Sequence, residues 1–150
     1  MRLSTKAQYA VRAMVRLNLE QKDTPVSIRE ISNHENISLT YLEQLFAKLR
    51  RGKLVKSVRG PGGGYVLARA ASEIKVDQII DSVEETLIPV SCMDEFGNCA
   101  CSDQCVTHTV WQELGDRIRG FLSSVSIEDL TKEAQERIRQ QRAEQNVTNG

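Results

Sequence analysis

Between two short apolar runs, Leu54-Val55-Lys56-Ser57-Val58 and Tyr65-Val66-Leu67, stands the stretch Arg59-Gly60-Pro61-Gly62-Gly63-Gly64. Glycine reaches the backbone conformations a sharp reversal demands, and the flanking runs have strand composition. The stretch therefore predicts a β-hairpin with a long glycine-rich turn. A phosphate-cradling loop would open a helix and carry Lys-Ser/Thr after its last glycine, whereas here a strand follows.

Three helical patterns precede the hairpin. From Lys6 to Glu20 the residues Tyr9, Ala10, Ala13, Met14 and Leu17 recur every three or four positions, and Asp23-Thr24-Pro25 ends that run. Ser27-Ile28-Arg29-Glu30 reads as a capping box that opens a short second helix, closed by His34 and Asn36. Ser38 is the expected N-cap of a third helix, whose Leu42, Leu45, Phe46 and Leu49 form one apolar row. Its opposite row holds Thr40, Glu43, Gln44, Ala47 and Arg51. Two helices joined by a tight turn, the second with a polar row, predict a helix-turn-helix, and the following hairpin is then its wing. By that docking geometry the polar row enters a DNA major groove.

The charge distribution agrees with this placement. Residues 1–75 carry 14 Lys/Arg against 6 Asp/Glu, a net +8, and residues 76–150 carry the reverse, a net −8. A basic half joined to an acidic half suits a nucleic-acid-binding module fused to a sensing or oligomerising one. Thr40 and Gln44 are candidates to hydrogen-bond base edges. Glu43 would repel phosphate unless it accepts a bond from cytosine, so it is expected to discriminate against wrong sites. Lys48, Arg50, Arg51, Lys53 and Lys56 are expected to supply salt-sensitive attraction to phosphates. Arg59, with Gly60 beside it at the base of the wing turn, is placed to reach the backbone or a narrow minor groove.

Beyond the wing, residues 72–86 read as one more helix, with Val76, Ile79, Ile80 and Val83 apolar, and Pro89 stops regular structure. The segment CMDEFGNCACSDQCVTH then holds all four cysteines, Cys92, Cys99, Cys101 and Cys105, together with His108. No apolar run approaches membrane-spanning length and no signal peptide is apparent, so the chain is expected in the cytoplasm, where thiols stay reduced. Metal ligation or redox chemistry is favoured there over structural disulfides. The spacing lacks the C-x2-C units usual in structural zinc, and a thioredoxin-like C-x-x-C is missing. A disulfide switch of Cys99 with Cys101 or Cys105 and an iron-sulfur cluster both remain open.

After that segment, Trp111, Leu114, Ile118, Phe121 and Val125 are spaced 3, 4, 3 and 4, the seam of a coiled coil, on a helix expected to begin near Cys105. A two-fold dimer on this seam would present two recognition helices about 34 Å apart to a pseudo-palindromic duplex site. Ser126-Ile127-Glu128-Asp129 reads as a further capping box opening a last short helix, with a polar tail from Arg137 that is expected to be disordered at its end. At 150 residues such a chain buries roughly 70% of its surface and holds one or two small domains. The fold class is mainly α with a small β-hairpin wing: a winged helix-turn-helix over 1–86, a cysteine-rich loop over 87–108, a dimerisation helix over 105–125, and a short helix with a polar tail over 126–150. No nucleophile-base constellation or substrate-pocket signature points to an enzyme.

The segments MRLSTKAQYAVRAM, ISLTYLEQLFAKLR and SVRGPGGGY, with the C-V-T-H ending of the cysteine segment, resemble the IscR-type iron-sulfur cluster regulators, a family of winged-helix bacterial repressors. The resemblance covers nearly all of residues 1–125. It implies a homodimer that carries a 2Fe-2S cluster on three cysteines and a histidine, receives that cluster from the iron-sulfur assembly machinery, and represses cluster-assembly genes. Carried over by motif, the ligands are Cys92, Cys99, Cys105 and His108. The middle of the segment departs from the family pattern, with one extra residue after Cys92 and a surplus Cys101, which is the alternative ligand; a site of Cys92, Cys99, Cys101 and Cys105 is the other arrangement. Related regulators that sense nitric oxide, iron or thiol redox state share the fold, so the signal stays open.

Overall fold

Ser4 opens the first helix by accepting the Ala7 amide on its Oγ at 3.2 Å. In the computed structural model, which describes residues 3–83 and 106–148, this helix, α1, spans Thr5–Glu20. α2 (Ile28–Glu35) is capped by Ser27, whose Oγ accepts the Glu30 amide at 3.2 Å. It closes on Asn36 in the left-handed conformation, φ 53°, a region that Asn tolerates better than most residues. α3 (Leu39–Arg51) starts at Ser38, which accepts the Tyr41 amide at 3.3 Å. The chain then forms β1 (Val55–Val58) and β2 (Gly64–Leu67), antiparallel, with Val55 opposite Leu67 and Val58 opposite Gly64.

The core lies under α1, α3 and the hairpin. Met14 and Leu17 from α1, Ile31 from α2, and Leu42, Leu45, Phe46 and Leu49 from α3 are fully or almost fully buried. Phe46 meets the ring of Tyr65 on β2 at 4.8 Å between centroids, which ties the hairpin to α3. Truncating such an aromatic side chain costs about 3–5 kcal/mol. Polar contacts fix the α1–α2 pairing: Arg16 Nε and Arg12 Nε reach the Glu35 carboxylate at 2.8 and 3.3 Å, and Arg12 Nη2 donates to the Glu35 carbonyl at 2.7 Å. Partial burial works to lower the Arg16 pKa, but hydrogen bonds with Glu35 and Glu20 outweigh it, so its positive charge is held more firmly than usual.

Three boundaries differ from the sequence-based expectation. Of the helix expected over residues 72–86, the described part is a single 3₁₀ turn, Ala71–Glu73, followed by α4 (Val76–Ser82), and residues 84–86 lie outside the described residues. Ile74 between them is buried, and the Gln78 side chain accepts the Lys75 amide at 3.0 Å, capping α4 at residue 75. The seam helix, α5, spans His108–Ser124, three residues later than expected, and Cys105 lies outside the described residues. The predicted short helix and disordered tail are instead one 22-residue helix, α6, over Ile127–Thr148. Helix-favouring Ala, Glu, Gln and Arg dominate its outer half, and the Glu128–Lys132 and Glu133–Arg137 pairs sit at i,i+4, with Glu136–Arg139 at i,i+3. Each such pair adds a few tenths of a kcal/mol. The capping box predicted at its start is formed in both directions, Asp129 amide to Ser126 Oγ at 3.1 Å and Ser126 amide to the Asp129 carboxylate at 3.0 Å.

α6 returns to the head. Ile127 is fully buried in the main core, and Asn18 Nδ2 on α1 donates to Thr131 Oγ1 at 2.9 Å. The α5–α6 junction pairs with the strand-like entry to α4 through a bridge between Lys75 and Ser126. The α5 end and the α1–α3 core are therefore one packed unit. Among the described residues no helix is long and apolar enough to cross a membrane.

Candidate nucleic-acid interface and cluster-binding segment

The α2–α3 turn is built by its own side chains. Ser32 Oγ donates to the Ile37 carbonyl at 2.6 Å, and the Ile37 amide returns to the Ser32 carbonyl at 3.3 Å. With Ile37 buried, the turn is pinned to the core and α3 projects at a set angle. Its apolar row faces inward, and Thr40, Glu43, Gln44 and Arg51 are exposed on the opposite side, with Ala47 and Lys48 half-buried beside them. The row singled out in the sequence is thus a continuous solvent-facing surface running from the helix N-terminus.

The wing turn needs its glycines at specific places. Gly60 and Gly62 have φ of 100° and 73°, and a Cβ on Gly63 would lie 2.3 Å from the Val58 carbonyl oxygen. The Gly63 amide closes the turn on the Gly60 carbonyl at 2.9 Å. At the start of β2, next to that turn, Tyr65 and Val26 exchange both backbone hydrogen bonds, at 2.7 and 3.0 Å, so the chain ahead of α2 acts as a third edge on the hairpin. A Cβ at Gly64 would collide with that neighbour, 2.3 Å from the Val26 oxygen. Arg59 and Gly60 are exposed at the turn.

Cys92, Cys99, Cys101 and Cys105 lie outside the described residues, so of the expected ligand set only His108 is placed. His108 is the first residue of α5, half-buried, and its Nδ1 is shielded from solvent with no hydrogen-bond partner among the described residues. Among the described residues there is no group of three or more His, Cys, Asp or Glu side chains arranged to hold a metal ion.

Of the expected seam, Leu114 and Phe121 are 41% and 66% exposed, and Trp111 and Ile118 are half-buried. Trp111 Nε1 donates to Thr107 Oγ1 at 3.1 Å. Val125 departs from the rest: as the residue that ends α5 it packs, with Leu122 and Leu130, on Ala7, Val76 and Ile80 of its own chain. Sequence reasoning missed Val110, 57% exposed and one turn before Leu114, because the 3-4 count began at Trp111. It also missed Arg69, which the hairpin brings back beside Arg50 and Lys53 at the end of α3. Only strand register could have revealed that neighbour.

A helix-turn-helix with an exposed polar row, a wing braced on its core, and a helix showing an apolar face to solvent define a dimeric winged-helix DNA-binding transcription regulator. The family model described as Rrf2, Iron-dependent Transcriptional regulator, matches residues 3–133, and the chain belongs to the Rrf2 family. It is 50% identical over 130 residues to the HTH-type transcriptional regulator IscR of Photorhabdus laumondii, covering 87% of this chain and 79% of that one. Among solved structures, T. potens IscR matches with a TM-score of 0.74 at 39% identity, covering 91% of this chain and 90% of that chain. CymR, described as the global cysteine regulator of B. subtilis, matches with a TM-score of 0.73 at 32% identity, covering 88% and 97%.

Proposed function

We propose that this chain is a repressor that reports iron-sulfur cluster status to DNA through a 2Fe-2S cluster held by Cys92, Cys99, Cys105 and His108. The observation that carries the reading is the buried, unpartnered Nδ1 of His108 at the start of α5. A shielded ring nitrogen without a partner is costly to leave so, by about 1–3 kcal/mol, and ligation would use it. Thiolates with one imidazole are a donor set suited to such a cluster. When bound, the cluster supplies a redox-active group whose presence tracks iron and sulfide supply, with the assembly machinery as donor.

The chain's own residues would carry that state to the operator. His108 begins α5, α5 ends in the junction bridged to Lys75, and α4 continues from there into the core under the recognition helix. Two protomers joined along the α5 face through Trp111, Leu114, Ile118 and Phe121 would set the spacing of their heads, and any shift in α5 alters that spacing. At each half-site of a pseudo-palindromic duplex, Thr40 and Gln44 read base edges, Glu43 rejects wrong ones, Lys48 and Arg51 contact phosphates, and Arg59 with Gly60 enters the minor groove.

A second reading keeps the same dimer but has the cysteines respond to thiol oxidation without a resident cluster, and a nitric-oxide or iron signal is the other alternative. The likeness to a structure described as a cysteine regulator favours keeping it in view. Iron and sulfide analysis with visible absorption, on protein purified without oxygen, separates the two. The cluster reading expects equimolar iron and sulfide and a change of DNA affinity or site choice when they are removed. Absent sulfide, or identical DNA binding in both forms, overturns it.

A further inference from the structure

An open cleft of about 710 Å3 runs from the end of α3 to the outer face of the hairpin. Arg50, Lys53, Lys56 and Arg69 line it together with Ser57, and no acidic residue does. Several arginines elsewhere pair with acids, Arg12 and Arg16 with Glu35, Arg117 with Glu113 and Arg137 with Glu133. None of the four cleft cations has such a pair among the described residues.

Cations near a helix C-terminus can simply answer the helix dipole. That accounts for Arg50 and leaves Lys56 on β1 and Arg69 after β2, which come from other elements. The backbone is also set for the purpose. Lys53 sits in the left-handed region, φ 61°, with its amide bonded to the Arg50 carbonyl at 2.9 Å, which turns it out of the helix line. Arg69 Nη2 donates to Gln78 Oε1 at 3.2 Å, so a neutral partner orients the guanidinium and leaves its charge uncancelled. Four unpaired charges held close together repel one another, and a polyanion relieves that repulsion.

We propose that this cleft is a second seat for the DNA sugar-phosphate backbone, at the base of the wing and separate from the base-reading row, with Gln78 as the positioning residue for Arg69. The inference rests on the heads binding duplex DNA as proposed above. It makes part of the affinity independent of sequence and adds to the salt dependence without adding to specificity.

The test is binding of the full chain to two unrelated duplexes of about 30 base pairs, by fluorescence anisotropy between about 50 and 200 mM salt. Arg69→Ala and Lys56→Ala should each lower the slope of log affinity against log salt by about 1 for every seat engaged, a loss of roughly threefold per seat over that range, and equally on both duplexes. Arg69→Lys should restore the slope, and Lys132→Ala on α6 should leave it unchanged. Slopes that stay at the wild-type value in variants that still bind DNA overturn the seat alone. A wild-type protein that binds neither duplex overturns the DNA reading as well. A cleft that serves small anions instead would show as thermal stabilisation by inorganic phosphate over chloride at equal ionic strength, lost in Arg69→Ala while the DNA slope is kept, and that result also overturns the proposal.

Discussion

The amide of Ile127 donates to the carbonyl of Ile74 at 2.9 Å, and both side chains are fully buried. With the Val76 amide bonded to the Val125 carbonyl at 3.0 Å, two stretches on either side of the cysteine segment are laced together. The α5–α6 corner is thereby part of the head. Replacing Ile127 by Ala should cost about 2–5 kcal/mol of stability, the range for a large aliphatic side chain removed from a packed core. Urea unfolding of Ile127→Ala checks it, and a loss below about 1 kcal/mol would mean the corner is only loosely seated.

The Ser126–Asp129 box at the start of α6 carries a pH signature. The Ser126 amide and then its hydroxyl hold the Asp129 carboxyl below its ordinary value of 3.8. A depressed carboxylate contributes stability that is complete above that ordinary value and is lost as the pH falls through the folded-state value. Asp129→Ala should therefore melt below the wild type at pH 7, and the two melting curves should converge in strong acid. A gap that persists at the lowest pH would assign the effect to packing.

The α3 row makes separable predictions for DNA. Gln44→Ala should cost about 1–3 kcal/mol at a cognate site and little on random duplex, since a base-edge contact is lost. Glu43→Ala should do the opposite, keeping cognate affinity and gaining affinity for mismatched sites. Arg59→Ala should weaken binding most where the minor groove is narrow. Binding to a selected pool of duplex sequences measures all three, and uniform losses across the pool would demote these residues to phosphate contacts.

Phe121 is 66% exposed, so charging it should leave the protomer folded. Phe121→Glu should convert the dimer to monomer in sedimentation at micromolar concentration, with an unchanged far-ultraviolet helical signal, because two like charges would face each other across the two-fold. Persistence of the dimer would move the interface off this face.

The cysteines can be sorted by single replacement. Cys105→Ala and Cys92→Ala should abolish the visible absorption of anaerobically prepared protein, and Cys101→Ala should retain it while Cys99→Ala loses it. The reverse outcome for that last pair would make Cys101 the middle ligand. His108→Ala should leave a cluster that is lost faster, since an imidazole ligand is replaced by none.

Local rules were enough for a good part of this molecule. Ser27, Ser38 and Ser126 cap the helices they precede, as expected, because capping is a contact between residues three apart; Ser4 caps α1 by the same contact, which the sequence reading did not name. The apolar row of α3 and the glycine-rich turn were equally plain, since helical period and glycine's freedom at positive φ are properties of a few adjacent residues. The length of α6 was less plain. Polar composition after Arg137 suggested disorder, but Arg137 and Arg139 pair back with Glu133 and Glu136 once the first turns are anchored on α1, and the helix-favouring residues beyond continue the run.

The sequence by itself determined the first three helices and the hairpin, the polar row of α3 and the candidate ligands, because each depends on spacing within a short stretch. Only the tertiary structure decided that Val125 turns inward, that Ile127 belongs to the head's core, and that Arg69 joins Arg50, Lys53 and Lys56 in one cleft. Those facts depend on which distant segments share a buried surface. The gain there is hydrophobic burial summed over non-neighbours, a quantity no local pattern records.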